Sequence, residues 1–268
     1  MTTPLRPPTH GRPSSRSWGG PLFSVKILGD FELCHRGAPI LLAESTQRFV
    51  ALLALAGHPL RRNRVAAQLW PDRDDERSQA NLRSCLWRLR QVAPGVIGAS
   101  CDPLGFAPGV RVDLAELTEL ARRLDAGLVV DLGAIDPDLC CADLLPEFCD
   151  DFVARQRELV RQLRLRTLEQ LSRLLSDAGC FGKALRLALL AVSQAPLRES
   201  AHELVLEIHL AEGNTSEALR HYQVLKNTLW QELGIRPSDQ IRATMSPWTR
   251  TDDVVAASAV GRRQRPTN

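Results

Sequence analysis

The stretch Asp74-Asp75-Glu76-Arg77-Ser78-Gln79-Ala80-Asn81-Leu82-Arg83-Ser84-Cys85-Leu86-Trp87-Arg88-Leu89-Arg90-Gln91-Val92-Ala93 decides the fold. It opens on carboxylates, which suit the positive end of a helix, and Pro94-Gly95 closes it. At about 100° per residue, Leu82, Leu86, Leu89 and Ala93 form one apolar stripe. Arg77, Asn81, Ser84, Arg88 and Gln91 fall on the opposite side, with Arg83 and Arg90 on a flank. Each of these polar side chains can bond a base edge or a phosphate: Arg takes guanine or phosphate, Asn and Gln take adenine, Ser takes either. A solvated helix face ordinarily mixes Glu with Lys, yet no carboxylate interrupts this face after Glu76. Trp87, between the stripe and the polar face, is read as packing against a neighbouring strand or helix.

The flanking residues place this helix third in a small domain. A shorter helix precedes it, about Asn63 to Trp70, with Val65, Ala66 and Leu69 inward and Pro71 as its stop. Arg61, Arg62 and Arg64 at its start suit the sugar-phosphate backbone, as the first helix of a helix-turn-helix requires. Ser45 is placed to cap an earlier helix through Phe49, Leu52, Leu53 and Leu55 that ends at Gly57-His58-Pro59. Before it, the alternation of Phe23, Val25 and Ile27, then Phe31 and Leu33, then Pro39 to Leu42, predicts three short strands in an antiparallel sheet. After the third helix, Val96-Ile97 and Leu104 to Ala107 flank Cys101-Asp102-Pro103 as a hairpin. Strands, three helices and a hairpin over residues 22–112 describe a winged helix-turn-helix with a leading sheet.

The chain has 268 residues, 44% of them hydrophobic, which is enough for about two domains. Residues 113–248 read as helical almost throughout, over about 113–127, 147–178, 182–194, 198–212 and 215–233. Gly179, Ala184 and Leu185 recur as Gly213, Ala218 and Leu219, each 34 residues on. That period, with Gly between helices and a small residue early in the second helix, is the tetratricopeptide (TPR) pattern. The fold class is therefore mainly α: a winged helix-turn-helix with a small sheet, then an all-α TPR-like domain. Residues 1–21 and 249–268 read as a disordered leader and tail.

Charge separates the halves. Residues 22–112 carry 12 Lys and Arg against 8 Asp and Glu, and residues 113–248 carry 15 against 21. A polyanion is the natural partner of the first segment only. The seven cysteines show no C-x-x-C spacing, so reduced thiols in a cytoplasm are expected, with neither a metal site nor a disulfide. No phosphate-binding Gly-rich loop, H-E-x-x-H or nucleophile–base pairing stands out. The reading is therefore of a non-enzyme without cofactor, and no apolar run is long enough to span a membrane.

Several of these runs are familiar. Leu28-Gly29, Leu69-Trp70-Pro71-Asp72, Ala80-Asn81-Leu82-Arg83 and Leu86-Trp87-Arg88-Leu89-Arg90 resemble the DNA-binding domain of SARP-type activators. Those regulators join an OmpR-like winged helix to a bacterial transcriptional activator domain (BTAD). Pro196-Leu197-Arg198-Glu199, Gly213 with Glu217-Ala218-Leu219, Tyr222, Glu232-Leu233-Gly234-Ile235 and Pro237-Ser238 resemble that second domain. The resemblance covers about residues 23–245. It implies a cytoplasmic activator that binds promoter direct repeats, often as a dimer, and contacts RNA polymerase, commonly at genes for specialised metabolites. By position, Arg77, Asn81, Ser84 and Arg88 then face the major groove. Two positions depart from the family. Arg61 or Arg62 stands where it tends to have a Ser or Thr cap, leaving Asn63 to cap the helix. The wing tip, Ser100 to Pro103, has no basic residue, so the third helix carries more of the readout.

Two rival functions use the same domains. One is a TPR-like interaction scaffold with a non-binding front domain; the other is a repressor, distinguished from an activator only by where its site lies. The front segment, ending near Arg111, is expected to fold and bind DNA alone.

Overall fold

The computed structural model describes residues 22–100, 102–131 and 137–260. The expected leader, 1–21, and the end of the expected tail, 261–268, lie outside the described residues. The order is β1 (Phe23–Lys26), β2 (Glu32–His35), β3 (Ala38–Pro39), α1 (Glu44–Ala56), α2 (Arg62–Leu69), α3 (Asp75–Val92), β4 (Arg111–Val112) and α4 (Asp113–Asp125). A 3-10 turn at Pro137–Cys140 leads to α5 (Asp151–Asp177), α6 (Phe181–Gln194), α7 (Glu199–Ala211), α8 (Thr215–Leu233) and α9 (Asp239–Val260). The molecule is mainly helical, with the winged helix-turn-helix order in front.

The sheet is mixed, not purely antiparallel. Its order is β3-β2-β1-β4. β1 pairs antiparallel with β2, Val25 opposite Leu33, and parallel with β4, Val25 opposite Val112. β4 returns after three helices and the hairpin, and a crossover of that length delivers a parallel strand. α1 also starts two residues earlier than read: Ala43 is its N-cap, without a side-chain bond, so Ser45 lies inside the helix. Gly57 ends it at φ 66 with its N–H on Leu53 O, a left-handed stop that glycine adopts without penalty.

The TPR-like repeat packs as the 34-residue period requires. Ala184 and Ala218 are fully buried, where a larger side chain would hold the helix pairs apart. α9 was not foreseen, because Pro237 and Pro247 bracket a largely polar run. Ile241 and Met245, one turn apart, bury against Leu206, Tyr222 and Leu229 and hold it. The helix continues to Val260, and between Pro247 and Gly261 the sequence holds no helix breaker.

The halves meet along a bonded seam, and one apolar core runs from Phe23 through Leu168 to Ile208. Gly29 N–H donates to Asp143 O at 2.7 Å, and Leu145 N–H to Ile27 O at 3.1 Å. At Gly29, φ 91, a Cβ would stand 3.3 Å from Ala142 Cβ, so the close approach favours glycine. Asp113 accepts from Ile27 N–H, Leu28 N–H (2.8 Å) and Leu114 N–H (2.8 Å). Burial raises its carboxyl pKa, and the three backbone bonds pull it back down. On α5, Arg157 donates to Leu144 O, Leu145 O, Pro146 O and Phe148 O. Arg164, 2% exposed, reaches Asp143, Gln194 and the carbonyls of Cys140 and Cys141. A chain ending near Arg111 lacks all these partners of the β1 end. Asp113→Ala, which strands three partly buried N–H groups, should cost about 2 kcal/mol of unfolding free energy in urea melts; a loss below about 0.5 kcal/mol would show that water satisfies those groups equally well.

Between α7 and α8, His202 and His221 meet with Nδ1 and Nε2 3.0 Å apart, and His202 Nε2 lies 2.9 Å from Pro196 O. A carbonyl only accepts, so His202 Nε2 carries the hydrogen, and His221 Nε2–H donates to His202 Nδ1. Burial lowers both pKa values, that of His221 to about 4, with His202, His209 and Arg220 adding repulsion. Unfolded histidine titrates near about 6.5, so protonation favours the unfolded chain. Stability should be full above about pH 6.5 and decline towards pH 4. In His202→Asn/His221→Gln that decline should be shallower in urea melts; an unchanged pH profile would remove the pair as its source.

Candidate nucleic-acid interface

α3 is capped by its own carboxylate: Asp74 accepts from Arg77 N–H at 2.8 Å. One face buries Ser78, Leu82, Cys85, Leu86 and Leu89, and Ala93, just beyond, is buried too. Leu82, Leu86, Leu89 and Ala93 are thus the apolar stripe read from the sequence. The other face is open. Arg77, Asn81, Arg83, Ser84, Arg88, Arg90 and Gln91 are all exposed. Arg77 lies 3.5 Å from Asp74 in an open ion pair, which water and salt screen. Arg83, Arg88 and Arg90 have no ion-pair partner among the described residues. Ser84 Oγ donates to Ala80 O at 3.1 Å and retains its acceptor lone pairs.

Trp87 departs from expectation. It is not buried against a strand or helix but stands 65% exposed, at the edge of the polar face. The buried positions Leu86 and Leu89 already fill the space towards α1 and α2, so the helical period carries the intervening residue outward.

α2 supplies a second set of cations. Arg61 and Arg64 are exposed and Arg62 half-buried. Arg61 is the N-cap position and makes no side-chain cap bond. Asn63 does not cap the helix start either, since its Oδ1 takes the N–H of Arg64. The cap comes from the wing: Asp102 Oδ1 accepts Arg62 N–H at 3.1 Å. Leu60 and Leu104 exchange backbone bonds of 2.8 and 2.7 Å beside it. The hairpin is thin, closed by a bridge of Ile97 with Phe106 and by Gly98 N–H on Gly105 O at 2.9 Å. The missing basic residue at the wing tip thus has a structural counterpart: the acid there holds the start of α2. This cap was unreadable from sequence because its partners are 40 residues apart.

Arg48 on α1 binds Leu69 O at the end of α2 and Asp150 at the start of α5. The carboxylates Asp143 and Asp150, which precede α5, therefore each face an arginine. Among the described residues no group of three His, Cys, Asp or Glu side chains could hold a metal ion, and no helix is long and apolar enough to cross a membrane.

The BTAD family model, bacterial transcriptional activator domain, matches residues 139–246. The regulatory protein AfsR of Streptomyces coelicolor is 26% identical over 246 residues, 86% of this chain and 24% of AfsR. AfsR of Streptomyces griseus is 24% identical over 241 residues, 84% of this chain and 24% of that protein. The chain is similar to SARP-type regulators over most of its length, and its residues 139–246 match their activator domain. It spans about a quarter of the length of these two relatives. Mycobacterium tuberculosis EmbR, solved in complex with a low-affinity phosphopeptide, shares the fold: TM-score 0.63 at 18% identity, over 90% of this chain and 70% of EmbR. The matched region begins at the turn before α5 and includes the 140–148 segment of the seam.

Asp102→Ala should lower the stability of the regulator by about 1 kcal/mol, the worth of an N-cap. Asn63→Ala should change it by less than about 0.5 kcal/mol. Equal losses in thermal melts would place the cap elsewhere.

Proposed function

We propose that this chain binds double-stranded DNA sequence-specifically through α3 and uses its helical half to activate transcription. Residues 22–112 act as the DNA-binding unit and 113–248 as the activator unit. One observation carries the reading: seven exposed hydrogen-bonding side chains cover one side of α3, with no carboxylate among them. Arg77, Asn81, Ser84, Arg88 and Gln91 read base edges, while Arg83, Arg90, Arg61, Arg62 and Arg64 take phosphates. Promoter direct repeats bind two copies side by side, each raising the other's effective concentration. RNA polymerase is the partner of the helical half, which offers the grooves that TPR-like pairs form. The protein works in the cytoplasm, without cofactor, metal or catalytic residues.

Sequencing the duplexes that the purified chain selects from a random pool defines the site. On that site Arg77→Ala, Asn81→Ala and Arg88→Ala should each cost about 1–3 kcal/mol and relax base preference. Arg61→Ala should weaken every sequence alike and reduce the slope of log K against log salt by about one. A chain that selects no common sequence and shows no salt slope is a scaffold, and the proposal fails.

A further inference from the structure

Two large apolar side chains stand exposed on the open side of α3, Trp87 in its middle and Val92 at its last residue, and the proposed readout gives neither a role. Trp87 is 65% exposed, although a tryptophan left in water forfeits the apolar burial that most tryptophans find. At about 100° per residue it stands about 40° from Gln91 and about 60° from Ser84. It therefore lies at the edge of the polar face, between Gln91 and the flanking Arg83 and Arg90, about 130° from the centre of the buried stripe. Its surface neighbours on the helix are Arg83 and Ser84 one turn before it and Arg90 and Gln91 one turn after it. All four are exposed.

That setting selects the partner. An apolar protein surface laid on Trp87 would cover Arg83 and Arg90 and strand their charges. A duplex groove avoids this, because it presents phosphates at its rims and base edges at its floor. The apolar feature of a major-groove floor is the thymine C5-methyl group, which stands beside the acceptor and donor atoms that Arg, Asn and Gln read.

We infer that Trp87 is a specificity residue of this chain, packing its indole on a thymine methyl in the major groove between the bases read by Ser84 and Gln91. The inference rests on α3 being the recognition helix. It assigns to each half-site a thymine preference that hydrogen-bonding residues alone do not supply. It also explains why a bulky aromatic is kept in water on the free protein: the ring is buried only when DNA is bound. Van der Waals contact with a methyl needs the ring face, so phenylalanine retains part of the preference and alanine none.

The test uses the full chain, the selected duplex and the same duplex with one thymine per half-site replaced by uracil, which lacks only the methyl. Affinities are read by fluorescence anisotropy for wild type, Trp87→Phe, Trp87→Ala and Arg88→Ala, with circular dichroism as the fold check. Wild type should lose about fivefold to tenfold on one particular uracil substitution. Trp87→Ala should lose about tenfold on the thymine duplex and bind the uracil duplex no more weakly. Trp87→Phe should fall between them. If Trp87→Ala binds within twofold of wild type while Arg88→Ala is weakened, the inference is overturned and the recognition face stands. If every uracil substitution affects wild type and Trp87→Ala equally, the thymine contact is overturned. If Arg88→Ala also binds like wild type, the recognition-face reading fails and takes the inference with it.

Discussion

Two guanidinium groups on α5 hold the molecule together. Arg157 and Arg164 grip the 140–148 segment by its carbonyls, and that segment in turn bonds the end of β1 through Gly29 and Ile27. Burying a guanidinium costs several kcal/mol unless its donors are met. Arg164 meets them with a carboxylate, an amide oxygen and two carbonyls. Arg48 adds a second tie, joining α1 and the end of α2 to the start of α5. The sheet, the helix-turn-helix and the first activator helix are therefore one bonded body, and α3 has a fixed direction relative to the helical stack. Under the proposed function, the surface offered to DNA and the helical stack offered to a protein partner then belong to one bonded body.

The local pattern made much of this legible. The stripe of Leu82, Leu86 and Leu89 showed which side of α3 is buried, and the 34-residue recurrence of Gly, Ala and Leu showed the helix pairs. Residues read at the interface from that periodicity are exposed or half-buried, and none lies in the core. What escaped is non-local. β4 joins the sheet from the far side of three helices, Asp113 caps strand-end amides 85 and 86 residues away, and the wing acid Asp102 caps α2. Such bonds leave no periodic trace, because their donors and acceptors come together only after the chain has folded. Trp87 was missed for a different reason: an aromatic on a helix is ordinarily core, and only the burial of its neighbours shows that this one is not.

The charge asymmetry between the halves has the same explanation at side-chain level. In the helical half, five arginines sit in ion pairs besides Arg164: Arg122 with Glu119, Arg161 with Glu158, Arg198 with Glu169, Arg220 with Glu217 and Arg242 with Asp239. On α3, Arg83, Arg88 and Arg90 stay unpaired among the described residues and turn outward. Exposed ion pairs are worth little to stability, so the pairing in the rear half chiefly quenches its attraction for polyanions. Unquenched positive charge is left on the exposed side of α3, where the proposed function needs it to orient the chain on approach to DNA.

The central claim is that α3 and the start of α2 are the surface that meets DNA. Amide hydrogen exchange on the full chain, with and without its selected duplex, tests it most directly. The account predicts slowed exchange over residues 60–66 and 74–92 on binding DNA, with α8 unchanged. Slowing confined to α7–α9, with α3 unaffected, would contradict it.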